Sequence, residues 1–335
     1  MGKLNEEWLK DRQEGGRPRA YSYAYGLPEM TEMTTTEYGP TADVDILPQW
    51  DIPDKVVISC APVGAFLSKR QNPNHPVQPD EIREQVRRAA EAGATAVHVH
   101  VRDPDTGINT IDSELYHEVL DPVTDEHPDL VVDGTTIPFA EGDWDHIQAI
   151  LDDELFDISP VNPLAAYYGD MVMYEPPDEL IVRTRILKEH GVKPLLAVST
   201  DADVHTAKRY LIDTGVVEEP YLWGILPGIP GASYLPTPTL MAESLTSQIE
   251  RIRGLPGEHE IVVSAAGRAS SYLATLAILL GCHVRVGTED TPYQYPHSDE
   301  KIADNGEEVE RFRSIASQLG REPATPNEYR EMIGL

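Results

Sequence analysis

Two histidines separated by one residue, His98 and His100 in the run AVHVHVRD, are the side chains here best suited to hold a metal ion. On a β-strand, residues i and i+2 project from the same face, so both imidazoles are presented together. H-x-H on a strand is a common way to put two nitrogens on zinc. A catalytic zinc also needs a third protein ligand and an open position for substrate or water. Glu289, in VRVGTED, supplies that third ligand if its strand closes a ring near the histidines. The pair equally fits a plainer reading as buried, hydrogen-bonded imidazoles in a polar pocket mouth.

Charge recurs around these positions. Arg102 and Asp103 follow the histidine pair, and Arg285 and Asp290 flank Glu289. An arginine can bind a carboxylate through two parallel hydrogen bonds, and a neighbouring aspartate can act as a base toward an acidic C–H. The same residues could instead close the top of the fold as ion pairs. Arg268 in AAGRAS precedes Ser270 and Ser271 at the start of a predicted helix. A cation and free helix N–H groups there suit an anion such as a phosphate, or the serines simply cap the helix. The Gly/Pro-rich stretch GILPGIPGAS (224–233) reads as a strand-to-helix loop. His117, His146, His190 and His259 lie in helical or loop contexts and read as surface residues.

The hydrophobic pattern says what must position these groups. After Pro53, short apolar β-branched runs alternate with longer amphipathic segments, the pattern of repeated βα units and a parallel sheet. Strands are predicted at 56–60, 96–101, 130–133, 155–159, 195–199, 223–226, 260–265 and 283–286. Helices follow them at 79–92, 112–120, 142–151, 177–190, 202–214, 240–253, 271–280 and 304–319. Continuous apolar strands belong where both faces are buried. Eight such units make an α/β protein of the (β/α)₈ TIM-barrel class, with residues 1–50 as an N-terminal extension and 51–335 as the catalytic barrel. A barrel gathers functional groups at the C-terminal strand ends and makes its eighth strand a neighbour of its first. Glu289 then lies one strand away from His98. A doubly wound sheet is the alternative, disfavoured because no G-x-G-x-x-G follows the first strand.

Composition excludes several classes of function. The chain of 335 residues carries a formal net charge of -30, which repels nucleic acid and anionic lipid. Acidic residues are spread along the whole chain, as in a solubility adaptation suited to a salty cytoplasm; the melting temperature should then rise between low and molar salt. The N-terminal twenty residues lack the apolar core of a secretory signal, and two cysteines, Cys60 and Cys282, give no disulfide framework. These features read as a cytoplasmic protein without a membrane partner. An acidic shell also obliges the active site to supply its own positive charge to an anionic substrate.

Several stretches taken together resemble the β-keto acid cleavage enzymes. They are ISCAPVGAFLSKRQNPNHPVQPDEI, EAGATAVHVHVRDPDTG, SAAGRAS, LGCHVRVGTED and the closing EVERFRSIASQLGREPATPNEYREMIG, and the resemblance runs from about residue 55 to the C-terminus. It implies a TIM barrel dependent on zinc or another divalent metal, and a homotetramer. The implied reaction converts a β-keto acid and acetyl-CoA into acetoacetate and a new acyl-CoA by a retro-Claisen route. It further implies that His98, His100 and Glu289 are the metal ligands, and that Arg285 and Asp290 activate the substrate. Thr135 or Thr136 in DGTT would place a hydroxyl near the substrate, and Ser159 and Asn162 would line its pocket. With acetyl-CoA as cosubstrate, Arg268 and Ser270 become candidates for its anionic groups.

One position departs from the family's prototype. Where the prototype has a glutamate suited to an ammonium group, this chain has Phe66 in APVGAF. Phe66 as a substrate contact favours an apolar side group, or a trimethylammonium held against the ring face. Two other functions compete with cleavage: a different metal-dependent barrel lyase or hydrolase acting on a keto acid through water, and a non-catalytic metabolite-binding barrel. An absolute requirement for acetyl-CoA separates the first, and turnover itself the second.

Overall fold

Alternation along short parallel strands decides which side chains meet inside this protein. The computed structural model describes Lys10 and residues 50–335. The N-terminal extension expected at 1–50 therefore falls, apart from Lys10 and Trp50, outside the described residues. The chain divides into Met1–Ile52 and Pro53–Leu335, and the second unit holds the elements below.

Eight parallel strands close into a barrel: β1 Ile58–Cys60, β2 Ala96–Val99, β3 Val131–Gly134, β4 Ile158–Val161, β5 Lys193–Val198, β6 Tyr221–Ile225, β7 His259–Val263 and β8 His283–Val286. Closure is direct, with Val286 of β8 beside Cys60 of β1 and Cys60 beside Val97 of β2. Helices follow the strands at Pro79–Glu91, Ser113–Glu126, Asp143–Asp152, Pro177–Glu189, Asp201–Ala207, Pro238–Arg253, Ser270–Leu279 and Asn305–Gln318. The chain is a (β/α)₈ TIM barrel, as the strand count anticipates.

Outward strand residues such as Val97, Val99, Leu196, Val198, Trp223 and Val284 join the apolar layer shared with the helices. Inward residues Ala96, Val131, Ile158, Leu222 and Val262 form a smaller inner cluster with Tyr329 and Ile333. Those last two belong to a helix that the sequence pattern did not reveal, Pro326–Ile333, capped by Thr325. It plugs the inner cluster with Tyr329, which is 2% exposed.

Three further differences from expectation have local causes. The second helix continues past 120 to Glu126 through Pro122. Proline lacks the N–H that would bond the Glu118 carbonyl, and Arg83 Nη1 donates to that carbonyl instead at 3.1 Å. Strand β4 starts at Ile158 rather than 155 and includes Pro160. Phe156, just before it, packs so closely on Gly134 that a Cβ there would lie 2.3 Å from its ring. Finally, two short antiparallel pairs stand on the C-terminal side of the barrel, Val101–Arg102 with Asn109–Thr110 and Ala165–Tyr168 with Met171–Tyr174. Among the described residues no helix is long and apolar enough to cross a membrane.

Candidate active site

The inward positions of the strands continue upward into a cavity of about 110 Å³ at the C-terminal end. Period two places Ala96, His98 and His100 on its wall in succession, while Val97 and Val99 face the helices. Strand β3 adds Asp133 and leads to Thr135, β4 leads to Asn162, and β8 brings Arg285, followed by Glu289. The face assumed for the histidine pair is thus the barrel interior.

His98, His100 and Glu289 form a cluster whose ligand atoms all lie within 4.8 Å of one another. His98 Nε2 is 3.6 Å from Glu289 Oε2, and His100 Nε2 is 4.0 Å from Glu289 Oε1. The other ring nitrogens are directed elsewhere. His100 Nδ1 lies 2.8 Å from Asn109 Oδ1, and His98 Nδ1 is 2.8 Å from Asp133 Oδ2. The second contact is close, but His98 Nδ1 falls short of hydrogen-bond alignment, so we read it as an ionic contact that orients the ring. Partners on the far nitrogens are what fix metal-ligating imidazoles, leaving Nε2 free to coordinate.

Glu289 Oε2 is buried without a hydrogen-bond partner, and so is Asp133 Oδ1. A buried carboxylate oxygen is costly to leave unpaired, and two imidazoles with a carboxylate are a donor set that zinc accepts. The residues therefore fit a divalent ion. Gly64 is part of this fit, because a Cβ there would lie 2.1 Å from Glu289 Cγ.

The electrostatics point the same way. Burial pushes the Glu289 carboxyl above its ordinary value, against the pull of Arg285 and His98. Burial disfavours a charged His98, but the carboxylates of Asp133 and Glu289 outweigh it and hold that imidazolium above its usual range. His100, buried and beside His98, falls well below it. A positive ion would relieve the crowding of carboxylates around Glu289.

Arg285 Nη2 donates to Asp290 Oδ1 at 2.6 Å and to Glu289 Oε1 at 3.2 Å, while its Nε donates to Asp290 Oδ2 at 3.0 Å. Arg285 lines the cavity, whereas Asp290 is not among the lining residues and keeps both oxygens on Arg285. The pair is assembled, with the guanidinium nearer the cavity.

The remaining sequence candidates separate into two groups. Thr135 is at the site, its hydroxyl 3.3 Å from His100 Nε2, while Thr136 Oγ1 turns away to Ser159 Oγ at 2.8 Å. Asn162 and Phe66 line the cavity. Ser159 does not: it is fully buried and spends its hydroxyl on Thr136. Arg268 and Ser270 also lie off the cavity lining. Arg268 stacks on Tyr293 at 3.8 Å and pairs with Asp299, and Ser270 is buried at the start of its helix. His259, read as a surface residue, accepts from Trp223 Nε1 at 3.1 Å and is half-buried.

Sequence reasoning missed Asp133 and Asn109, the partners of the two histidines. Asp133 was findable, since it ends the apolar run LVVD and sits opposite His98 in the β2–β3 register. Nothing in the sequence marks Asn109. Tyr168 and Met173, from the antiparallel pair above β4, also line the cavity.

Arg102 forms no ion pair with Asp103. It is buried, and Nη2 donates to the Leu67 carbonyl at 2.7 Å, to the Gly64 carbonyl, and to His75 Nε2 at 3.3 Å. It thus pins the loop that carries Gly64 and Phe66. Burial, aided by the Arg102 charge, pulls His75 from its ordinary 6.5 down to about 4. The folded protein therefore prefers neutral His75, while the unfolded chain takes up a proton below 6.5. The resulting stabilisation is complete above pH 6.5 and is lost as pH falls toward 4. Urea midpoints measured across that window should fall for the native protein. They should fall less for His75→Gln, which keeps an acceptor for Arg102 but cannot be charged.

Residues 55–335 match the family model described as beta-keto acid cleavage enzyme. The chain is 30% identical over 287 residues to the 3-keto-5-aminohexanoate cleavage enzyme of Acetoanaerobium sticklandii, covering 84% of this chain and 99% of that protein. It is 27% identical to the 3-dehydrocarnitine:acetyl-CoA trimethylamine transferase of Rhizobium meliloti, covering 84% and 96%. Among solved structures, apo ObcA superposes with a TM-score of 0.68 at 20% identity, over 78% of this chain and 66% of that one, a likeness of fold. With a match spanning the whole barrel and a relative aligned over nearly its full length, this chain belongs to the β-keto acid cleavage enzyme family.

Proposed function

We propose that this enzyme converts a β-keto acid and acetyl-CoA into acetoacetate and a new acyl-CoA. The observation that carries the reading is the Glu289 carboxylate set against two imidazoles, its unpartnered Oε2 3.6 Å from His98 Nε2 and its Oε1, which accepts from Arg285, 4.0 Å from His100 Nε2. An ion held by His98, His100 and Glu289, with zinc favoured by the two nitrogens, would supply a Lewis acid for the substrate's keto and carboxylate oxygens.

The chain's own residues divide the remaining work. Arg285, a half-buried cation on the cavity wall, orients the substrate carboxylate and offsets its charge in an acidic protein. The Thr135 hydroxyl beside His100 offers a hydrogen bond to a substrate oxygen. Asp290, held by Arg285, is the base that takes the α-proton. The α-carbon then bonds to the acetyl carbonyl carbon as the CoA thiolate leaves. The thiolate adds to the substrate's own keto carbon, and the C–C bond between that carbon and the α-carbon breaks. A proton returns to the α-carbon, giving acetoacetate, and the former keto carbon departs as the new acyl-CoA.

Arg268, exposed near the barrel rim, remains our candidate for an anionic group of CoA, together with Ser270 at the start of the adjacent helix. We take the protein to act in the cytoplasm as a homotetramer, with residues 1–50 extending the 51–335 barrel. Acetoacetate formation by the zinc-loaded enzyme from a panel of β-keto acids tests the reaction. It should be absent without acetyl-CoA, and cleavage that proceeds with water alone would favour a hydrolase instead.

A further inference from the structure

The cavity is charged at one end and uncharged at the other. Its strand-borne part holds His98, His100, Asp133 and Arg285, with Glu289 and the unpartnered Asn162 Nδ2 just above them. The loops and hairpin beyond the barrel-strand ends contribute, among the described residues, Phe66, Ile137, Phe139, Tyr168 and Met173, none of which carries a carboxylate or an ammonium. Phe66 and Phe139 are 59% and 47% exposed, so this end is where a ligand would cover apolar surface.

The hairpin Ala165–Tyr168 and Met171–Tyr174 builds one side of that wall. Its register sets Ala166 against Met173 and Tyr168 against Met171, so one face turns Tyr168 and Met173 to the cavity while Tyr167 and Val172 face out. Gly169 N donates to the Pro230 carbonyl at 2.8 Å and Glu175 N to the Leu164 carbonyl at 3.1 Å, which fixes the hairpin's placement. The acid at its end, Glu175, is already neutralised. Arg183 donates to its two oxygens at 2.7 and 2.6 Å, and Asn162 N to one of them at 2.8 Å.

Resting on the cleavage reading above, we propose that this wall is the side-group subsite. It takes an uncharged, apolar alkyl or aryl group, with Tyr168 and Met173 as specificity-determining residues. An amine or carboxylate seated there would lose its hydration with no counter-charge to replace it. A trimethylammonium group fits less well than its methyl surface suggests. Phe66 and Tyr168 meet edge to face, 6.4 Å apart at 68°, so one face of one ring is taken up by the other's positive edge, and the two rings do not form a parallel-walled cage around a cation.

The test compares 3-oxohexanoate and 3-oxo-3-phenylpropanoate with 3-keto-5-aminohexanoate, 3-dehydrocarnitine and 3-oxoadipate, using zinc-loaded full-length protein. Acetoacetate formation gives kcat/KM, and calorimetry without acetyl-CoA gives affinity independently of turnover. The uncharged acids should lead by at least about 100-fold in kcat/KM, and should also bind more tightly. Met173→Glu should shift preference toward the amine by 10-fold or more, on the order of one buried ion pair. A native enzyme that binds or turns over any of the charged acids best overturns the proposal. If none of the acids yields acetoacetate yet the uncharged ones bind best, the cleavage reading fails and the subsite stands.

Discussion

Replacing His98 with alanine is expected to abolish the metal binding proposed for the triad and to lower kcat/KM by about 10³-fold or more, since a metal stabilising developing charge is worth several kcal/mol. Among the described residues His98 is one of three donors in the cluster, and the remaining two, His100 and Glu289, cannot close a zinc site alone. Glu289→Gln should behave similarly, because it removes the anionic oxygen that faces His98 Nε2. Asp133→Ala gives the graded control. Its carboxylate sits 2.8 Å from His98 Nδ1, the nitrogen turned away from Glu289. Losing such an outer partner typically weakens metal binding by about 10- to 100-fold. Elemental analysis after dialysis should therefore rank native above Asp133→Ala above His98→Ala, with activity following in the same order and circular dichroism unchanged. A His98→Ala protein that kept both zinc and full activity would remove the triad from the mechanism.

The second large effect concerns Asp290. Asp290→Asn should keep the metal and lower kcat/KM by about 10²- to 10⁴-fold, the usual contribution of a general base. It should also abolish exchange of the substrate's α-hydrogens with deuterated water. The exchange measurement is the discriminating one. In the structure Arg285 takes both Asp290 oxygens and is itself on the cavity wall. A base must turn an oxygen toward the substrate once the guanidinium engages the substrate carboxylate, whereas a residue that only positions Arg285 need not. If Asp290→Asn retains α-exchange and shows only a raised KM for the keto acid, Asp290 positions Arg285 and another group takes the proton. Arg285→Lys complements it: a lysine keeps the charge but cannot hold two oxygens of Asp290 and one of Glu289 together.

Much of this architecture was legible before any coordinates. Runs such as VVISC, LLAVS and EIVVSA report burial on both faces, and burial on both faces of many parallel strands leaves few folds other than a barrel. The C-terminal helix Pro326–Ile333 escaped because it is short and fully buries only two side chains, Tyr329 and Ile333, with Met332 packed partly against the same cluster. Pro160 hid the true extent of β4, since a residue without an N–H looks like a strand end when its neighbours are unknown.

The site divides along the same line. By itself the sequence determined the local facts: that His98 and His100 share a face, that Arg285 and Asp290 accompany Glu289, and that an aromatic ring occupies position 66. Those follow from side-chain period and residue type, which need no partner. Only the tertiary structure decided which groups are free to act. It put Asp133 beside His98 and Asn109 beside His100, took Ser159 out of the pocket by pairing it with Thr136, and sent Arg268 to the rim with Asp299. It also brought Tyr168 and Met173 over the cavity from a hairpin more than sixty residues beyond His100. The reason is physical: a polar atom's role depends on whether another chain segment has already satisfied it, and that information lies in long-range contacts rather than in spacing.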